Sequence, residues 1–161
     1  MIQRTFLLVL IAGSLLTVGC SAGNGLPPAA EQSLKESTDF ELLSLDPDRE
    51  KIDENGFCGW TVLGKTTIND ADVRGKLLAA FRTGVAQSDD TAVDCFNPRH
   101  GIEVVHDGTT HQFVICFQCY QVEWYTNNAQ TGGFRITDSP QETFDEILKA
   151  SKVPLAKKAC K

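Results

Sequence analysis

The first apolar block of the chain, residues 6–18, carries no charge and lies between Arg4 and Gly19-Cys20. A positive residue, an apolar stretch and a small residue before a cleavage point predict a secretory signal over residues 1–19. The block is too short to cross a bilayer core, which takes about 20 residues. Residues 20–38 are small, polar and rich in Pro and Gly, so a flexible tether is expected there. From residue 39 the pattern becomes that of a folded domain, expected as one unit over 39–161.

Within that unit, Asp39–Leu45 reads as a strand and residues 46–56 as a charged loop. Residues 57–67 are β-rich and interrupted by Gly59 and Gly64, which predicts a bent strand. Val73, Leu77, Phe81 and Val85 then recur every four residues, the stripe of an amphipathic helix. Asn69 stands where its N-cap should be, and Gly84 offers a close approach to the sheet. Residues 93–105 and 110–125 flank Asp107-Gly108, a strong hairpin signal. The second arm is almost wholly apolar, which predicts one long central strand covered on both faces. Residues 127–133 read as a turn and 134–137 as a short strand. Ser139-Pro140-Gln141-Glu142 has the form of a capping box, opening a helix whose inner face carries Phe144, Ile147 and Leu148. The order β, β, α, β, β, β, α predicts an α+β fold, an antiparallel hairpin and meander sheet with two amphipathic helices packed on one face.

Charge narrows the partners. The net charge is −6, and losing Arg4 with the signal takes it to −7. An acidic chain lacks the basic patch that phosphate backbones require, so no nucleic acid is expected. No Gly-rich phosphate loop, H-E-x-x-H or G-x-S-x-G occurs, and no cofactor is implied.

The six cysteines are Cys20, Cys58, Cys95, Cys116, Cys119 and Cys160. Gly19-Cys20 at the end of the apolar block resembles the lipobox of bacterial lipoproteins. That resemblance implies lipid attachment at Cys20, a membrane partner through the lipid, and a place in the bacterial cell envelope. Ser21 resembles the outer-membrane sorting pattern of Gram-negative hosts. Export means an oxidising compartment, where cysteines tend to pair. Five remain after lipidation, an odd number, and Cys160 near the lysine-rich end is the expected leftover.

Cys116 and Cys119 fall within the long strand, where residues three apart point to opposite faces. A two-residue Asp107-Gly108 turn pairs residues whose numbers sum to 215 and leaves Cys95 too far from Cys116 to bond. A bulge at Pro98 shifts the register by one and sets Cys95 opposite Cys119, the expected structural disulfide. The alternative is a zinc or thiol-redox site built on Cys95, His100, Cys116 and Cys119, whose ligand types suit zinc. Pro98 cannot donate to a ladder, so Arg99 and His100 are expected to project from an irregular strand as a contact patch. His106 and His111 flank the turn and are expected to be exposed.

Four segments, Glu41-Leu42-Leu43-Ser44-Leu45-Asp46-Pro47, Gly59-Trp60-Thr61-Val62-Leu63-Gly64, Cys95-Phe96-Asn97-Pro98-Arg99-His100-Gly101-Ile102 and Val114-Ile115-Cys116-Phe117-Gln118-Cys119, together resemble a group of short, uncharacterised bacterial exported proteins and lipoproteins. The resemblance spans roughly residues 40–158 and implies one coherent domain but no activity. The reading that follows is a lipid-anchored envelope protein that binds or supports rather than catalyses, with catalytic residues assigned to none of its positions.

Overall fold

Residues 25–48, 53, 55–89, 91 and 93–157 are described by a computed structural model. The expected signal, Cys20 and Cys160 lie outside them.

Among the described residues three α-helices and six strands follow one another: α1 (Pro28–Glu36), β1 (Asp39–Leu45), β2 (Val62–Thr67), α2 (Ala71–Ala86), β3 (His100–His106), β4 (Thr109–Cys116), β5 (Gln121–Thr126), β6 (Ala129–Arg135) and α3 (Gln141–Ala150). The strands form one antiparallel sheet in the order β2-β1-β3-β4-β5-β6. The expected α+β architecture is therefore present, with a meander of four strands instead of three.

The register explains how the sheet divides its faces. His106 pairs with Thr109 across the Asp107-Gly108 turn, and the same register runs on to His100 opposite Ile115. Asp107 and Gly108 both have positive φ, as a two-residue hairpin turn requires. Alternation then sends Ile102, Val104, Phe113, Ile115, Val122 and Trp124 to one side, where they join Leu77, Phe81, Phe144 and Leu148 of the helices in the main core. Leu43, Leu45 and Val114 point the other way and are covered by Phe57, with Trp60 and Phe96 alongside. Gly101 makes that cover possible: a Cβ there would lie 2.7 Å from the Phe57 ring.

Several expectations are corrected. The long strand over 110–125 is broken, because the chain leaves the sheet after Cys116 in a 3-10 turn, Phe117–Cys119, and Tyr120 takes a left-handed conformation before β5. Residues on both faces of this stretch are buried, so apolar density alone could not show the corner. The tether ends earlier than residue 38, since α1 occupies Pro28–Glu36 and its Ala30 and Leu34 are fully buried. Pro at the helix start, Glu31 in the first turn and Lys35 in the last suit this helix. Arg74 of α2 locks it down by donating to the Leu34 and Ser37 carbonyls, each at 3.1 Å, while stacking on Phe40. The helix caps also differ. Asp70, not Asn69, caps α2 by accepting from the amides of Asp72 and Val73, and Pro140 sits at the N-cap of α3 with no side-chain cap. The Ser139 hydroxyl bonds Thr137 instead.

The turn after β5 is only two residues, Asn127 and Asn128, both at positive φ, so β6 begins at Ala129 rather than near residue 134. Gly84 does permit a close approach, but to the Ile136–Pro140 segment: a Cβ there would meet Pro140 Cγ at 2.4 Å.

Candidate functional site

Pro98 ends the irregular segment and β3 starts two residues later. The backbone of Arg99 is held from both sides, its carbonyl accepting from Leu45 N–H and its N–H donating to the Ile115 carbonyl. The next residue, His100, turns to the helix side of the sheet. Its ring lies 5.1 Å from that of Phe117 and 5.7 Å from that of Phe144, and Nε2 meets Asp145 Oδ1 of α3 at 2.9 Å. His100 is 3% exposed, so it does not project as expected; it is a buried imidazole with a carboxylate partner. Arg99 is half-buried and reaches along the surface, donating from Nη1 to Gln118 Oε1 at 3.1 Å and from Nε to the Lys157 carbonyl at 3.3 Å.

Both residues line a cleft of about 580 Å³ between the start of β3, the 3-10 turn and α3. Arg99 and Lys149 bring positive charge to it, Asp138 and Asp145 negative charge, and Gln118 and Gln141 neutral donors and acceptors. A histidine oriented by a carboxylate is the base half of a nucleophilic triad. None of the residues lining the cleft is Ser, Thr or Cys, and the hydroxyl among them is the phenol of Tyr120. The arrangement suits recognition of a polar molecule carrying both charges.

The cysteines lie beside this cleft. Cys116 and Cys119 are bonded to each other, with their Cα atoms 5.2 Å apart. The expected Cys95–Cys119 disulfide is corrected accordingly. Its register reasoning required Cys95 and Cys119 to sit in paired strands. Instead β3 begins at His100, and the 3-10 turn folds residue 119 back onto residue 116. Cys95 remains a free, half-buried thiol, yet its Sγ comes within 3.5 Å of Cys119 Sγ. The backbone N–H of Asn97 also points at Cys119 Sγ, at 3.4 Å.

The alternative zinc set is not assembled. Two of its four members are tied up in a disulfide, and His100 faces the helices while Cys116, alternating with Ile115, faces away. Among the described residues no group of three or more His, Cys, Asp or Glu could hold a metal ion.

Other expectations shift as well. His111 is 9% exposed and stacked on Trp124, not solvent-facing, and His106 is largely covered beside Asp107. Burial, with His106 nearby, holds the His111 pKa below its usual value. Burial beside Glu103 and Glu123 pushes the Cys58 thiol up to about 12, so it stays protonated and unreactive. Sequence reasoning missed Asp145, Gln118 and Lys149. Asp145 carried a faint signal, standing next to Phe144 and on the border of the apolar stripe Phe144, Ile147, Leu148.

Comparison with protein-family models, with curated proteins and with solved structures finds no match to this chain.

Proposed function

We propose that this protein is lipid-anchored in the bacterial cell envelope through Cys20, at the outer membrane in a Gram-negative host, and that its domain is a non-catalytic binding module. The anchor rests on Arg4, the apolar block 6–18 and Gly19-Cys20. The resemblance of the chain to exported bacterial proteins supports the same placement. The ligand seat is the cleft over Arg99 and His100, and its ligands are small zwitterions: free amino acids and the ends of short peptides. One observation carries this reading, the convergence of Arg99 and Lys149 with Asp138 and Asp145 around one cleft of about 580 Å³. A ligand carboxylate would meet the cations, where Arg offers a planar fork of donors. A ligand ammonium would meet Asp138, which is exposed.

A thermal-shift screen with single amino acids and dipeptides tests the proposal. A ligand at 100 times its Kd should stabilise the fold by about 2.7 kcal/mol. At least one compound should do so, and Arg99→Ala and Lys149→Ala should each remove the effect. A screen without any stabilising compound, or stabilisation that survives both substitutions, contradicts the proposal.

A further inference from the structure

Three sulfurs meet where β4 ends. Cys116 and Cys119 are bonded and almost fully buried, at 1% and 0% exposure, so an outside thiol has no direct path to them. Cys95 is free, reaches the surface, and holds its sulfur 3.5 Å from Cys119 Sγ. Thiol–disulfide exchange proceeds by attack of a thiolate on one sulfur of a disulfide, with the other sulfur leaving. Here the attacking group, the attacked sulfur and the leaving group all belong to one chain and already touch.

We infer that Cys95, Cys116 and Cys119 form a thiol–disulfide exchange centre in which Cys95 brings the buried disulfide to the surface and accepts the thiols of exported proteins or peptides. In the first step Cys95 gives up its proton and its thiolate attacks Cys119 Sγ. The Cys95–Cys119 bond forms, the Cys116–Cys119 bond breaks, and Cys116 leaves with the electron pair and takes up the proton. No outside oxidant or reductant is needed. In the second step a partner thiolate attacks Cys95 Sγ, giving a mixed disulfide and releasing Cys119 as a thiolate beside the Asn97 N–H. A second thiol of the partner then attacks the partner's own sulfur in that mixed disulfide and releases Cys95. The partner departs with a disulfide, Cys116 and Cys119 remain as thiols, and two electrons have passed from partner to protein.

This centre is independent of the ligand proposed for the cleft, because its test reads sulfur connectivity alone. Glutathione serves as the probe thiol, with acid quenching, alkylation and peptide mapping of the intact chain. In the wild type the mixed disulfide should appear on Cys95. Cys95→Ser should slow reduction of the Cys116–Cys119 bond by about tenfold or more, since the buried pair then lacks its surface route. Cys116→Ser, purified in air, should link Cys95 to Cys119. Cys58→Ser should reduce at the wild-type rate, its thiol being protonated and outside the relay. Reduction of Cys95→Ser at the wild-type rate would overturn the inference. So would glutathione attached to Cys116 or Cys119 in the wild type, or Cys116→Ser with both remaining thiols free.

Discussion

His111 shows what parity along a strand decides. It sits three residues past the Asp107-Gly108 turn, where a polar side chain is ordinarily wet. Yet it shares a face with Phe113 and Ile115, and so belongs to the helix side of the sheet, stacked on Trp124 with Nδ1 unpartnered. Its pKa is lowered by burial, so the unfolded chain binds a proton that the folded chain resists. The consequence has a definite sign. Above the ordinary histidine pKa of about 6.5 both states are neutral and the effect vanishes; below it, folding stability falls as protons are added. His111→Phe keeps the ring and removes the titration. Melting temperatures measured between about pH 7.5 and pH 5 should fall less steeply in this variant than in the wild type; equal slopes would show that His111 does not contribute. His111 was expected to be exposed because it lies near the turn, but the hairpin register puts it on the same face as Phe113 and Ile115, and there it is buried. The partner of His100 was not legible in the sequence, since no local pattern links residue 100 to residue 145.

At the scale of elements, β1 and the β3–β4 hairpin were the easiest to read, whereas β6, beside the equally tight Asn127-Asn128 turn, was placed too late. β1 and the β3–β4 hairpin follow from alternation and from Asp107-Gly108. The corner at Phe117–Cys119 was hidden because both faces of the sheet are covered there, leaving no period to interrupt. α1 was hidden by composition: Pro27, Pro28 and the small residues before them read as a linker, while Leu26, Ala30 and Leu34 at four-residue spacing mark the helical face that packs on the core. Leu34→Ala should therefore cost about 2–5 kcal/mol in denaturant unfolding, the range for a buried leucine. A loss near zero would place α1 outside the cooperative fold. Two glycines of α2 make a sharper comparison. A Cβ at Gly84 would lie 2.4 Å and 2.8 Å from atoms of Pro140, whereas a Cβ at Gly75 meets nothing within 4 Å. Gly75→Ala should stabilise by about 0.5–1 kcal/mol through helix propensity. Gly84→Ala should destabilise by about 1–3 kcal/mol through overpacking. Opposite signs for two identical substitutions in one helix would confirm the contact between α2 and the Pro140 segment, and equal signs would refute it.

At the scale of the molecule, the position of α1 changes how the domain would stand on a membrane. With Cys20 acylated, only residues 21–27 separate the lipid from the first helix. Seven residues span at most roughly 25 Å, so the domain is held close to the surface rather than on a long leash. No described helix is long and apolar enough to cross a membrane, which makes the proposed attachment easy to test. Cys20→Ser should abolish acyl labelling and move the protein from the membrane to the soluble fraction of the host; unchanged retention would contradict a lipid anchor.

The central claim is that this domain is a binding module whose seat is the cleft between β3, the 3-10 turn and α3. The most direct measurement is an amide chemical-shift map of the full domain, titrated with whichever amino acid or dipeptide stabilises it most. The account predicts saturable shifts centred on Arg99, His100, Gln118, Asp138 and Lys149, absent in Arg99→Ala. Shifts centred instead on the opposite sheet face, around Glu103, Glu123 and Tyr125, would contradict it.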